Sequence, residues 1–225
     1  APSENNPEKY HGVSQFDRVT GEFLAKKKED FSARFGAELC GLADKDARIC
    51  AITAAMPSGT GLTRFSTLHR DRFFDVGIAE EHAVAMAAGM AAQGLVPVVA
   101  LYSTFLQRAY DQILHDVCIQ NLPVVFAIDR AGLVGSDGET HQGIFDISYL
   151  STIPNMTIMA PKNKWELSDM IKYAVDFSAP IAIRYPRGEA YDGLREYRAP
   201  IACGKSEWIY RSGQIALFAL GAMVK

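Results

Sequence analysis

The 225-residue chain is 48% hydrophobic and 22% charged, the make-up of an ordinary globular protein large enough to bury a core without disulfide or metal staples. Its 23 basic residues against 26 acidic ones give a formal charge of −3, without the basic excess expected of a duplex-binding protein. No apolar run nears the roughly 20 residues of a membrane span.

Residues 1–29 carry Pro2, Pro7, Gly12, Gly21 and a Lys26–Lys28 run without periodicity, and read as an extended connector with no basic and apolar leader of the secretory kind. From residue 30 the pattern becomes regular. Asp30 can cap a helix whose apolar face is Phe31, Phe35, Leu39 and Leu42. A buried strand is expected over 47–55 and a second over 72–78. An Ala-rich helix follows from Glu80 to Gln93 and ends at Gly94, a natural C-cap. The third strand is 96–102. The next helix is expected to open at Thr104, with Gln107 at capping-box spacing, and to run to about Asn121. The fourth strand is 123–129, followed by a Gly-rich loop over 132–143 and a short helix near 145–152. A fifth strand (156–160), a helix capped by Asn163 that runs to about Phe177, and a sixth strand (180–184) complete the series.

Six short, continuously apolar strands alternating with helices predict an α/β fold: a doubly wound, mostly parallel six-stranded sheet with helices on both faces. Residues 204–213 resemble a hairpin. Residues 214–221 resemble the first strand of another α/β unit, so the chain reads as cut short: a linker (1–29), one domain (30–190) and the beginning of another (191–225). Cys40, Cys50, Cys118 and Cys203 are scattered and read as reduced thiols; the five histidines lack zinc spacing.

Ligands of such sheets lie beyond the carboxyl ends of the strands. Two groups of residues stand there. One is acidic: Glu80 opens a helix directly after a strand, either as a charge that serves only the helix dipole or as a buried acid that holds a proton on a ligand. Glu81 and His82 read as its bystanders. The other is basic and polar: Arg108, Arg130, Arg184, Arg187 and His141, with Tyr102 and Asp137. Guanidinium forks from separate strands suit a phosphate dianion; the alternative is local pairing with Asp129 and Asp137. Neither a G-x-G-x-x-G, a P-loop nor a G-x-S-x-G elbow is present.

Five segments in order, 75–82 (DVGIAEEH), 102–112 (YSTFLQRAYDQ), 129–132 (DRAG), 137–143 (DGETHQG) and 184–188 (RYPRG), together with Tyr10–Val13 and Thr20–Gly21, resemble the transketolase-like thiamine diphosphate enzymes, in the branch that draws its two-carbon unit from pyruvate. The resemblance implies the middle, pyrimidine-binding domain of a three-domain enzyme. Glu80 would be the cofactor-activating glutamate, catalytic together with His141. Phe105 would stack on the pyrimidine, with Met56 and Ile78 packed around it. Tyr102, Arg108, Arg130, Asp137, His141 and Arg187 would contact the substrate. Asp137-Gly138 does not fit the family's Gly-Asp-Gly…Asn metal motif, so no metal ligand is expected in this chain, and the cofactor's Mg2+ would be held by the diphosphate domain. The implied substrates are pyruvate and glyceraldehyde 3-phosphate, joined with loss of carbon dioxide to feed isoprenoid, thiamine and pyridoxal synthesis. A homodimer in the cytoplasm of a bacterium (or a plastid), without nucleic acid or membrane partners, is implied as well, with this piece alone inactive. Glu81 stands where the family pattern has Gln. The alternatives are another transketolase-type enzyme or a non-catalytic α/β binding module.

Overall fold

The computed structural model describes residues 2–5, 7, 15–20, 22, 28–135 and 137–225. Tyr10–Val13, Gly21, Lys26, Lys27 and Ser136 lie outside the described residues. Six strands, β1 (Ile49–Thr53), β2 (Phe73–Asp75), β3 (Val96–Tyr102), β4 (Val125–Asp129), β5 (Thr157–Met159) and β6 (Ile181–Arg184), form one sheet in the order β2-β1-β3-β4-β6-β5. All five pairings are parallel.

Side chains alternate across a strand with period two, so each central strand feeds two cores. Ile49, Ala51, Val98, Ala100, Val125, Ala127, Ile181 and Ile183 face one layer with Phe31, Phe35 and Leu39 of helix α1 (Phe31–Ala43), Phe65 of α2 (Thr63–Leu68), and Leu167 and Ile171 of a later helix, Lys164–Val175. Ile52, Val99, Leu101, Phe126, Ile128 and Ala182 face the other layer. There they meet Ala83, Val84, Ala87, Ala88 and Ala91 of α3 (Glu80–Ala92), and Leu106, Ala109, Ile113 and Val117 from the segment after β3. Double-sided burial is why these strands read as unbroken apolar runs.

Two caps fall where the sequence puts them. Asp30 accepts from Ala33 N at 2.7 Å, and Asn163 from Glu166 N at 2.8 Å. Glu166 reaches back to Lys162 N rather than to the cap residue's own amide.

The segment after β3 departs from expectation. It opens at Ser103, not Thr104, with no side-chain cap; the Thr104 hydroxyl instead donates to Thr140 O in the Gly-rich loop. This helix, α4, is a composite: an α turn (Ser103–Leu106), a 3-10 turn (Gln107–Ala109), one more α turn (Tyr110–Gln112) and a π turn (Ile113–Cys118). Helix α2 was not expected at all, and Pro2–Asn5 forms one helical turn in the expected connector. The remaining α-helices among the described residues are α5 (Asp146–Leu150) and α6 (Lys164–Val175). The expected hairpin over 204–213 and strand over 214–221 are not formed; Ile215, Leu217 and Phe218 are exposed. A strand has no internal hydrogen bonds, and no neighbouring strand among the described residues offers it a ladder.

The strand order fixes the site. β1 leads outward to β2, whereas the chain re-enters at β3 on the other side of β1. Connections that leave two adjacent strands in opposite directions open a crevice at their carboxyl ends.

Candidate active site

Glu80 is the first residue of α3 and is only 2% exposed. The loop that delivers it is tethered by Asp75, whose Oδ1 accepts from Gly77 N at 3.0 Å and from Ala55 N at 2.7 Å, joining the ends of β1 and β2. Among the described residues, the Glu80 carboxylate accepts one hydrogen bond, from Arg108 Nη1 to Oε1 at 2.9 Å. Arg108 sits on the 3-10 turn of α4, with its Cζ 5.4 Å from the Phe105 ring centroid. Phe105 stacks on Tyr102 at 5.7 Å with an interplanar angle of 17°, and His141 meets the Phe105 ring edge-on at 5.3 Å.

Tyr102 is the hinge to the basic residues. The Arg130 guanidinium lies 4.0 Å from its ring centroid, a cation–π distance. Arg130 has φ +56, a left-handed backbone that a non-glycine residue adopts only when its surroundings hold it there. Its N–H donates to Asp129 Oδ1 at 2.7 Å, and its Nη1 donates to Gly59 O at 2.6 Å. Asp129 is wholly buried at the end of β4, where it also accepts from the Ser32 hydroxyl at 2.6 Å. Burial outweighs Arg130 and these hydrogen bonds and pushes its carboxyl up to about 6. Burial likewise raises the Tyr102 phenol. Asp137 bridges the two candidate phosphate ligands, 3.1 Å from Arg187 and 3.8 Å from Arg130. Arg130 and Arg187 line one wall of a cavity of about 860 Å³ with Ser32, Ser58, Gly59 and Arg64.

The Gly-rich loop that carries Asp137 and His141 is closed by paired hydrogen bonds between Gly132 and Gly143. Gly143 permits that closure: a Cβ there would meet Arg130 O at 2.1 Å and Ser103 Cβ at 2.7 Å.

The structure thus brings the two expected groups into one arc, from Glu80 through Arg108, Phe105, Tyr102 and His141 to Arg130, Asp137 and Arg187. Glu80 is buried at the first position of α3, where a carboxylate also meets the positive end of the helix dipole. Arg130 and Arg187 do pair with Asp129 and Asp137, the local carboxylates that the sequence offered as their alternative partners. Arg108 does not join them; it lies on Glu80. Arg184 forms a two-pronged pair with buried Asp146 at 3.0 and 3.2 Å rather than with a residue of the arc. Met56 packs against the α3-side core, and Ile78 is 81% exposed beside Glu80. Glu81 and His82 are exposed. The supports of Arg130, Ser32 and Gly59, lie 98 and 71 positions away and carry no local signal in the sequence.

The chain belongs to the family of transketolase pyrimidine-binding domains, whose profile matches residues 27–192. Within that family it is similar to the 1-deoxy-D-xylulose-5-phosphate synthases of Lachnoclostridium phytofermentans (59% identical over 225 residues) and Clostridium tetani (58% over 223). These alignments take in 100% and 99% of this chain but 36% of each relative, so the chain spans about a third of their length. Among solved structures, a split-gene transketolase described as an inactive β4 tetramer matches 77% of this chain and 55% of its own, with TM-score 0.64 at 27% identity. Transketolase from Leishmania mexicana matches 83% of this chain and 28% of its own, with TM-score 0.64 at 17% identity, a likeness of fold alone.

Proposed function

We propose that this chain is the pyrimidine-binding part of a 1-deoxy-D-xylulose-5-phosphate synthase, which condenses pyruvate with glyceraldehyde 3-phosphate, with loss of carbon dioxide, on thiamine diphosphate. The observation that carries the reading is the single arc joining a buried helix-start carboxylate to a pair of arginines through an aromatic bridge. The residues fit the pyrimidine half of the cofactor: Glu80 offers a carboxylate to a ring nitrogen, half-buried Phe105 a ring face, and Ile78 and Met56 apolar edges. Among the described residues no three metal-ligating side chains converge, so a diphosphate-bound Mg2+ would take its ligands from elsewhere in the enzyme. When bound, thiamine diphosphate supplies the carbanion chemistry.

The chain's own residues bind, orient and move protons. Glu80 anchors the pyrimidine and fixes its protonation. Arg130 and Arg187 bind the phosphate of the aldehyde, which displaces Asp137 from between them. Tyr102 and His141 line the path between the two ends. Bridging that path lets one acceptor be oriented by its phosphate while its carbonyl reaches the cofactor.

The same reading takes residues 1–29 as a linker, 30–190 as the domain and 191–225 as the approach to another. It makes the enzyme a homodimer, supported by exposed Leu133, Ile144, Phe145 and Ile147 around the strand ends. It assigns the enzyme to the bacterial cytoplasm, in keeping with four unpaired cysteines and bacterial relatives. The product would feed isoprenoid, thiamine and pyridoxal synthesis.

The test is Glu80→Ala in the complete enzyme, assayed with pyruvate and with a ketose phosphate as alternative donors. Turnover with pyruvate should fall at least about 100-fold with the fold intact. A near-normal rate sinks the role of Glu80, and a wild-type preference for the ketose phosphate favours a transketolase instead.

A further inference from the structure

We infer that Arg108 is a positioning residue for Glu80: it occupies one carboxylate oxygen and so leaves the other as the single acceptor presented to the pyrimidine. The inference rests on the function proposed above. A carboxylate has two oxygens and rotates about its terminal bond, so a lone buried glutamate could offer either in several orientations. Here Oε1 is taken by Arg108 Nη1 at 2.9 Å, and Oε2 has no hydrogen-bond partner among the described residues.

The backbone is built to deliver this contact. Were α4 a regular helix from Ser103, its register would run undisturbed through residue 108. Instead the chain tightens into a 3-10 turn at Gln107–Ala109, and that turn packs directly against α3, of which Glu80 is the first residue. The same guanidinium lies 5.4 Å from the Phe105 ring centroid, so one side chain touches both the carboxylate and the aromatic ring that the pyrimidine would engage. The Arg108 side chain is 50% exposed and the Glu80 side chain 3% exposed. Arg108 is thus the charged partner of a carboxylate already buried, and its removal leaves that carboxylate unpaired and free to turn.

The experiment uses the full-length enzyme and reads binding of thiamine diphosphate in the presence of Mg2+, by calorimetry, alongside the circular dichroism of the bound aminopyrimidine. Arg108→Met should weaken binding about three- to tenfold and alter the dichroism of the bound aminopyrimidine. Arg108→Lys should restore part of the loss. In a Glu80→Gln background the Met substitution should add little, because the pair is already broken. Wild-type affinity and dichroism in Arg108→Met, or losses that simply add in the double variant, overturn the inference. Failure of the wild-type enzyme to bind thiamine diphosphate would instead overturn the functional reading beneath it, and the positioning role with it.

Discussion

A carboxylate wholly out of water, Asp129, gives this domain one pH-dependent contribution to its stability. Its carboxyl is raised to about 6 from an ordinary value near 3.8, so the folded state holds its proton more tightly than the unfolded chain does. The stability this contributes is complete below about pH 4 and is lost as pH rises through about 6. Across that window Asp129 tilts the stability curve downward by at most about 1.4 kcal/mol per pH unit. Urea titrations between pH 4 and 7 should show the Asp129→Asn variant with a more positive slope than the parent; superimposable slopes would show that the group is not titrating there. The arginines beside it give a second expectation at this scale. On the function proposed above, Arg130→Ala and Arg187→Ala in the complete enzyme should each raise the KM for glyceraldehyde 3-phosphate about 10- to 100-fold, the worth of a charged hydrogen bond, and leave that for pyruvate nearly unchanged. An equal effect on both substrates would remove the phosphate from this end of the arc. Glu80, Arg130 and Arg187 were legible as candidates because each lies just beyond a strand. That Arg108 belongs to Glu80 rather than to the arginine pair was not, since the assignment turns on a backbone tightening that leaves no periodic trace.

Among the elements, the strands were the easiest to read. β3 occupies 96–102 as expected, because a strand covered on both faces is apolar at every position. Helix α2 went unseen because six residues are too few to establish a 3.6-residue period. The π turn of α4 was equally hidden, since it changes the hydrogen-bond ladder without changing the composition. The glycines of 132–143 mark a loop in the sequence, but its closure depends on contacts to the ends of β4 and α4 that only the fold supplies. Gly143→Ala tests that closure. A methyl group aimed at Arg130 O and Ser103 should cost about 1–3 kcal/mol in the midpoint of chemical unfolding. It should also lower turnover, because Asp137 and His141 ride on the pinched loop. Unchanged stability would mean that the loop opens freely and the pinch holds nothing.

On the scale of the whole molecule, an all-parallel sheet sends every functional loop to one edge and leaves the opposite edge to packing. The burial that builds the two cores also decides which atoms a reagent can find. Cys40, Cys50 and Cys118 are interior, and Cys203 alone is exposed. Burial further suppresses the interior thiols, pushing Cys118 up to about 12. A thiol-specific dye should therefore label the native protein rapidly at one site and the unfolded protein at four. The labelling count becomes a gauge of global opening, and a reporter attached at Cys203 would track the C-terminal segment without touching the crevice. Rapid labelling of more than one thiol in native buffer would show that the layers breathe more than their packing suggests.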